Sequence, residues 1–272
     1  MGTLASLSTL VVLVFTWLSL QQVEDEHALT REGQVTDRYN AAVGNIGDDS
    51  ADVRLGGIYA LQRIMDDSPR DQPSIVNVLS TYIRNHAKKP KQDTVASNTR
   101  LASDVQAALT TLGSRDRDHD GTARINLSGA HLTNANLTNA DLTGANLSHA
   151  DLTAANLNSA SLTKAVLFGA VLSGAYLSDA DLSHADLSHA DLSDAYLPDA
   201  HLSHADLADA DLTDTLLTDA DLTSAFLRTT DLSGADLTDA DLTDAYLFDV
   251  DLSGADLTGV DLTHVDLTGS KR

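Results

Sequence analysis

The chain contains no cysteine, few aromatic residues and few basic residues, and each shortage excludes a class of site. Without cysteine there are no disulfides, no zinc–thiolate sites and no cysteine nucleophile. Aromatic residues make up 4% of the 272 residues, so the core is predicted to be aliphatic. The 17 basic residues stand against 40 acidic ones, a formal net charge of −23. This balance disfavours direct nucleic-acid binding, because affinity for phosphate comes from lysine and arginine.

The acidic residues are concentrated in the C-terminal half of the chain. Residues 121–272 contain 24 Asp, no Glu and 5 Lys or Arg, which is a net charge of −19. Only −4 of the total charge of −23 therefore falls on residues 1–120. A basic protein partner, bound cations or a salty environment are all compatible with such a surface.

A hydrophobic run near the N-terminus predicts a membrane anchor. Residues 4–20 are 17 residues without a charge, and a bilayer-spanning helix needs about 17–25. Trp17 near one end is typical of an interfacial anchor. A cleaved signal peptide and a buried core helix are the alternatives, although no basic residue precedes the run and no small-residue cleavage site follows it. Because Arg31 and Arg38 follow the run, we expect a single-pass protein whose C-terminal domains are cytoplasmic.

Residues 25–87 carry apolar residues at helical spacing and predict a small all-α region. Residues 88–99 are polar and predict a linker. Residues 100–113 predict a further helix, which ends at Gly113 and caps the domain that follows. Residues 114–124 are expected to turn into the first coil of that domain.

Three motifs give residues 31–113 a resemblance to a known helical region. They are GQVTDRY at 33–39, VRLGGIYAL at 53–61 and DDSPRD at 66–71. The segment resembles the membrane-proximal helices that precede pentapeptide repeats in many actinobacterial proteins. The pair Gly56-Gly57 costs about 1 kcal/mol per glycine relative to alanine inside a helix, so we expect a close helix–helix contact there, with a ligand site as the alternative.

The C-terminal half repeats every five residues without interruption. From Leu127 to Leu267 every fifth residue is leucine, which gives 29 consecutive repeats. The residue two places before each leucine is alanine in 23 repeats. A period of five matches neither the α-helix nor the β-strand, so the self-similarity indicates a solenoid.

This pattern resembles the pentapeptide-repeat family, and the resemblance covers residues 125–269. It implies a right-handed quadrilateral β-helix with four repeats per coil, in which each leucine and the small residue before it point inward. The 29 repeats then make about seven coils and a rod about 35 Å long. Relatives that protect type II topoisomerases usually carry projecting loops, and this tract has none. The last coil leaves an unpaired edge, which we expect to support a homodimer.

Residues twenty apart are expected to lie above one another and to form surface columns. Two acidic columns follow, in which neighbouring carboxylates repel by about 0.9 kcal/mol even in water. They contain Asp191, Asp211, Asp231 and Asp251 in one column, and Asp221, Asp241 and Asp261 in the other. Such columns predict either a surface that binds a basic partner or a simply solvated acidic surface.

Two aromatic pairs complete the candidate partner-binding surface, and nothing in the sequence predicts a cofactor, a metal or a catalytic residue. The pairs are Tyr176 with Tyr196, and Phe226 with Tyr246, on opposite faces, and plain surface stacking is the alternative to partner contact. His184 and His204 also lie twenty residues apart and are expected to align with each other. Histidine in such short repeats is more often a variable surface residue than a metal ligand. Residues 116–121 match only the first half of a calcium loop, because Leu127 stands where a glutamate is required.

We therefore expect a membrane-tethered, non-catalytic scaffold that presents a rigid acidic rod to a protein partner. The alternative is a DNA-mimicking regulator of a DNA-binding enzyme such as a type II topoisomerase. A convex rod without a pocket disfavours an enzyme, because active sites are normally concave.

Overall fold

The computed structural model of the chain describes residues 2–88, 101–262 and 265–271. Four α-helices precede the repeats: α1 is Gly2–Ile46, α2 is Ala51–Asp67, α3 is Gln72–His86 and α4 is Ser103–Gly113. Short 3-10 helices occupy Pro69–Asp71 and Arg117–His119. The linker predicted at 88–99 lies outside the described residues, except for Lys88.

Among the side chains of helix α1 that the structure describes, those near its start are exposed and several near its end are packed. Its last three turns bury Val35, Ala42 and Ile46, which recur on one helical face. Nearer its start, Val12, Phe15 and Trp17 are exposed. Within the part of the chain that the structure describes, no helix has the length and apolar character needed to cross a membrane. The anchor predicted at 4–20, whose side chains are described only in part, is therefore not confirmed.

Helices α1 and α2 are in close contact at Gly57. A Cβ atom on Gly57 would lie 2.9 Å from the carbonyl oxygen of Ala42 and 2.8 Å from a methyl group of Ile46. A Cβ atom on Gly56 would meet nothing within 4 Å. The helix–helix contact expected at this glycine pair therefore depends on Gly57 alone.

A buried polar cluster fastens α2, α3 and α4 to one another. The Asp104 carboxylate accepts hydrogen bonds from the Tyr82 hydroxyl at 2.7 Å and from Arg54 Nε at 2.7 Å. Arg54 also donates to the carbonyl oxygens of Asp48 and Asp49, which join α1 to α2. Burial, with the hydrogen bond to Asp104, raises the pKa of Tyr82 to about 12, so the phenol stays protonated and donates at all physiological pH values. The three helices consequently form one body.

The repeats form a four-sided β-helix with twenty residues per coil. Parallel β-bridges join residues twenty apart, for example Asp191 with Asp211 and Asp211 with Asp231. The Leu192 N–H donates to the Asp211 carbonyl oxygen at 2.7 Å, and the Asp191 N–H donates to the Ala170 carbonyl oxygen at 2.9 Å. Each side of a coil is thus a very short parallel strand, paired with the coils above and below it.

The interior of the rod is filled by leucine and alanine in alternation. The central leucines of the repeats are fully buried from Leu127 to Leu247, and the small residues before them are buried as well. Burying one leucine side chain contributes about 2 kcal/mol, so this column dominates the stability of the rod. Where the small position is a polar residue, as at Thr215, its hydroxyl donates to a backbone carbonyl oxygen, here that of Leu212 at 2.6 Å.

Each corner of the coil is a β-turn that needs one residue with positive φ. The Ala195 N–H closes such a turn on the Leu192 carbonyl oxygen at 3.0 Å, with Asp194 at φ 57° between them. In 20 repeats this position holds a residue other than glycine with positive φ, and 15 of those residues are Asp, Asn or His. These side chains tolerate the left-handed region better than most, which explains much of the composition at the fifth position of the repeat.

The helical region covers the open edge of the first coil on all four sides. One residue on each side of the coil, which would otherwise lack a partner coil, makes hydrogen bonds with the helices instead. The four pairs are Asn126 with Arg84, His131 with Ala87, Asn136 with Gln106, and Asp141 with Gly113. The helices and the rod are therefore joined edge-on through a continuous set of hydrogen bonds.

The segment that resembles half a calcium loop is a turn between α4 and the first coil, and Asp120 is its buried residue. The Asp120 carboxylate accepts two hydrogen bonds from Arg115 Nε and a third from Arg115 Nη2 at 2.7 Å. Gln72 Nε2 donates to the same carboxylate at 2.8 Å. Arg115 also donates to the Asp141 carbonyl oxygen at 2.9 Å. One of the three aspartates that a calcium loop would offer to a metal, Asp120, is thus engaged by an arginine that ties α4 to the rod.

Candidate interaction surface

The outward side chains of the rod fall into four faces and four corners. We number the faces one to four in chain order. In the first coil, the residue directly before each leucine marks its face, and these residues are Asn126, His131, Asn136 and Asp141. Every residue twenty positions later belongs to the same face. The corners carry the positive-φ residues, and corner three-four begins at Asn139.

The two predicted acidic columns lie on opposite faces. Asp191, Asp211, Asp231 and Asp251 are joined by successive bridges on face two. Asp221 is bridged to Asp241 on face four, and Asp261 follows Asp241 by the same interval of twenty. Lys271 ends the column on face two and pairs with Asp251 at 2.8 Å.

Where the structure describes the turn, one oxygen of a face aspartate is used by its own turn. The Asp191 Oδ1 atom accepts from the Ser193 N–H at 3.0 Å and from the Ser193 hydroxyl at 2.6 Å. Asn126 makes the same two hydrogen bonds with Ser128 in the first coil. Aspartate and asparagine are therefore equivalent for the turn, and the second oxygen of an aspartate is left for other contacts, such as that of Asp181 with the Thr163 hydroxyl.

These hydrogen bonds lower the pKa of several face carboxyls. The hydroxyl and N–H of Thr258 donate to Asp256 and hold the pKa of its carboxyl below the ordinary value. Burial raises the pKa of Asp181, but hydrogen bonds from Ser183 and Thr163 outweigh it and the pKa is lowered. The Lys271 ammonium and Ser253 lower the pKa of Asp251 to about 2. These carboxylates stay charged well below neutral pH.

A third acidic column runs along corner three-four, and the sequence reasoning missed it. Asp179, Asp199, Asp219 and Asp239 are all exposed and all have φ between 56° and 58°. They are twenty residues apart, so the interval that identified the other columns was already visible here. The fifth position of the repeat had no assigned role, which is why this column was overlooked.

The two aromatic pairs stack on opposite faces. Tyr176 and Tyr196 lie on face three, with ring centroids 5.6 Å apart and planes inclined by 26°. Phe226 and Tyr246 lie on face one, 4.9 Å apart and almost parallel. All four side chains are exposed, with fractions between 46% and 56%. The structure thus places the predicted aromatic residues where a partner could reach them.

Several histidines make aromatic contacts along the rod. His184 and His204 stack with ring centroids 4.9 Å apart, and Phe168 lies between His149 and His189 with edge-on contacts. Within the described residues, no group of three or more histidine or acidic side chains is arranged to hold a metal ion.

A cleft lies where the rod meets the helices. Its volume is 740 Å³, and its lining includes Tyr59, Gln62, Gln106 and Asn134. The amide of Gln106 is fully engaged by the backbone of Asn136, donating at 2.7 Å and accepting at 2.9 Å. The described lining residues include no carboxylate, histidine, lysine or arginine, so the cleft has no strong acid or base for catalysis.

Comparison with known families gives one match, which covers the rod. The model described as "Pentapeptide repeats" matches in eight copies, over residues 123–158, 160–199, 195–234 and 235–271. These segments amount to more than half of the chain. A comparison with curated protein sequences found no match.

Several solved structures are similar to part of the chain. QnrB1, described as a plasmid-mediated fluoroquinolone resistance protein, is 24% identical over 52% of this chain and 76% of its own, with a TM-score of 0.32. HetL from Nostoc sp. strain PCC 7120 is 29% identical over 54% and 82%, with a TM-score of 0.23. Rfr23 from the cyanobacterium Cyanothece 51142 is 34% identical over 37% and 62%, with a TM-score of 0.21.

Proposed function

Because the chain belongs to the pentapeptide repeat family, whose members form right-handed quadrilateral β-helices, we propose that it is a non-catalytic scaffold. Its rod binds a basic surface of a protein partner, and its helices and N-terminal run hold the rod at a membrane. The observation that carries this proposal is a change in the composition of the repeats along the rod.

The coils near the helices use asparagine where the later coils use aspartate. Residues 125–164 contain seven Asn and two Asp, whereas residues 165–272 contain no Asn and 22 Asp. Both side chains accept the turn hydrogen bonds, and both tolerate positive φ, so the fold does not require the charge. Stacked carboxylates repel by about 0.9 kcal/mol per pair in water. A charge that the fold does not need and that costs stability is best explained by a partner of opposite sign.

Adaptation to salt explains the distribution less well. Such adaptation acts on the whole solvent-exposed surface, but residues 125–164 carry a net charge of only −1, from two Asp and one Lys. Between residues 165 and 270 the only basic residue is Arg228, against 22 Asp. The acidity is thus confined to the part of the rod that lies farthest from the helices.

Capture of the partner tests the proposal. The full-length protein and a variant with Asp→Asn at all seven residues of the two predicted columns are used as baits with detergent-solubilised native membranes. We expect a partner with a basic surface that is retained by the natural chain, is released by salt, and is lost from the variant. A partner that persists on the variant, or on a chain ending at Gly113, would move the binding site away from the acidic columns.

The DNA-mimic alternative makes a different prediction. A regulator of a type II topoisomerase changes supercoiling by the isolated enzyme, and a scaffold for another partner does not. Purified full-length protein added to a gyrase supercoiling assay separates the two, and indifference of the assay removes the alternative.

Attachment to a membrane through residues 4–20 is the second part of the proposal. Its support is the uncharged run itself and the exposure of Val12, Phe15 and Trp17, because apolar side chains in contact with water are unfavourable. We propose a single pass with the rod on the cytoplasmic side. Since the chain lacks cysteine, one introduced at Asp209 is a unique label, and protection of that thiol in sealed cells reports the orientation.

The last coil supports the proposal of a homodimer. Leu257, Val260, Leu262 and Leu267 are only half-buried, whereas their equivalents in earlier coils are buried. A second copy would cover them. Sedimentation of the natural protein and of Leu257→Asp measures this directly, and a monomer in both cases would refute the dimer.

A further inference from the structure

Face three of the rod differs from the other faces where Tyr176, Tyr196 and Leu216 follow one another over three coils. The three residues are joined by successive β-bridges and form one apolar stripe along the rod axis. The two tyrosines are 46% and 49% exposed, and Leu216 is half-buried. On most other coils this position carries an Asp or Asn that accepts hydrogen bonds from its own turn.

The chain compensates locally for the lost turn hydrogen bonds beneath the two tyrosines. At Tyr176, the Ser178 N–H donates instead to the Asn158 side chain of the coil below, at 2.9 Å. At Tyr196, the equivalent turn residue is Pro198, which has no N–H to satisfy, and it is the only proline between residues 91 and 272. Both tyrosines therefore stand in turns that are adapted to the absence of an Asp or Asn.

Carboxylates border the apolar stripe on both sides. Corner two-three carries Asp194 and Asp214, and corner three-four carries the column that begins at Asp179 and ends at Asp239. All of these side chains are exposed. An apolar stripe between two rows of negative charge is complementary to an apolar ridge between two rows of positive charge.

The spacing of the coils selects the secondary structure of the partner. Successive coils rise by about 4.8 Å, and an α-helix brings side chains back to the same face every 5.4 Å or so, whereas a strand does so only every 6.6 Å or more. Over the three intervals from Asp179 to Asp239, a helix drifts out of register by about 2 Å and a strand by about 5–6 Å. Lysine and arginine side chains are long enough to absorb the smaller offset.

We propose that face three, from Tyr176 to Leu216, docks a basic amphipathic α-helix of a partner protein, laid lengthwise along the rod. This inference rests on the proposed scaffold function and specifies which surface acts and what it binds. The apolar ridge of the helix packs on the tyrosine rings, and lysine or arginine residues on its flanks pair with the two corner columns. Cation–π contacts with the exposed rings add to the attraction.

The test uses the full-length protein and a synthetic helical peptide of 21 residues, with leucine along one stripe and lysine on both flanks of that stripe. A peptide of the same composition in scrambled order is its control. We expect the ordered peptide to bind at least tenfold more tightly, as measured by fluorescence anisotropy. Equal binding of the two peptides would overturn the proposal, because charge alone would then explain the interaction.

Matched variants locate the binding site. Tyr176→Ala with Tyr196→Ala should weaken binding of the ordered peptide by about fivefold or more, the usual loss at a hot spot, while Phe226→Ala with Tyr246→Ala on face one should leave it unchanged.

Two triple variants test the carboxylates. Binding should be weakened more by the loss of charge at corner three-four, in Asp179→Asn with Asp199→Asn and Asp219→Asn. The same loss of charge from face two, in Asp191→Asn with Asp211→Asn and Asp231→Asn, should weaken it less. Asparagine keeps both backbone conformations, so every variant should fold, and circular dichroism checks this.

Equal losses for the two triple variants would refute docking at face three. The outcomes below distinguish failure of the docking surface from failure of the proposed scaffold function. If native partners are still lost from the seven-residue Asp→Asn bait while the face-three variants bind the peptide normally, the scaffold proposal stands and the choice of face fails. If native partners are retained by the seven-residue bait and also by the Asp179→Asn, Asp199→Asn and Asp219→Asn variant, or by a chain ending at Gly113, the scaffold proposal itself fails.

Discussion

At the scale of the residue, the five positions of a repeat have separate structural tasks. The central leucine and the small residue before it fill the core, as the resemblance implied. The residue before each leucine accepts the hydrogen bonds of a turn, and the last residue of the repeat adopts positive φ. The sequence indicated the first task through the strict period. The other two tasks were not predicted, because Asp before the leucine was interpreted as surface charge and the last position had no assigned role.

The neighbours Leu216 and Leu217 test this division of tasks with one chemical change. Leu217 is fully buried and Leu216 points outward from face three. We expect Leu217→Ala to destabilise the rod by about 2–5 kcal/mol, because it removes buried methyl groups and leaves a cavity. Leu216→Ala should change the free energy of unfolding by less than about 1 kcal/mol. Urea unfolding followed by circular dichroism measures both, and similar losses would contradict the inward assignment of the central leucines.

At the scale of the element, local patterns predicted where helices pack but not which atoms meet. The apolar residues at helical spacing predicted an all-α region, and the structure buries Val35, Ala42 and Ile46 on one face of α1. The hydrogen bonds that cap the first coil were not predictable. Arg84, Gln106 and Gly113 reach their partners on the coil across 28 to 42 residues of sequence, and no local periodicity encodes such a contact.

The adjacent glycines of α2 give opposite predictions for the same substitution. Gly57→Ala places a Cβ atom 2.9 Å from the Ala42 carbonyl oxygen and should destabilise the helical region by about 1–3 kcal/mol, because α1 must move. Gly56→Ala meets open space and should stabilise it by about 0.5–1 kcal/mol through helix propensity. Thermal unfolding of the two variants measures this difference. If both were stabilised, α1 would not cross α2 at Gly57.

At the scale of the whole molecule, the rod is a rigid body whose charge increases away from the helices. The length of the rod, its number of coils and its overall acidity could be predicted from the repeats in the sequence. The family match covers the residues of these repeats. The distribution of charge over faces and corners required the register of the coils. That register assigns Asp179 and Tyr176 to neighbouring columns and thereby defines the proposed docking surface.

The lowered pKa values predict how the rod responds to acid. Asp251 and Asp256 have folded-state pKa values below the ordinary value of 3.8, that of Asp251 being about 2. Their contribution to stability is therefore complete above pH 4 or so and is lost as the pH falls towards 2. In the variant Asp251→Asn with Asp256→Asn, we expect the difference in unfolding free energy from the natural chain to shrink over this range. A difference that stays constant from pH 5 to pH 2.5 in urea titrations would contradict the hydrogen-bonded turns.

The twenty-residue coil is the claim on which the faces, the columns and the docking surface all depend. Because the chain contains no cysteine, pairs of introduced cysteines report the register without interference. Asp191 and Asp211 are bridged on face two, about 4.8 Å apart and within reach of a disulfide, whereas Asp206 lies on face one. Oxidation should cross-link Asp191→Cys with Asp211→Cys efficiently and should leave Asp191→Cys with Asp206→Cys reduced. Cross-linking of the second pair, or failure of the first in folded protein, would contradict the coil.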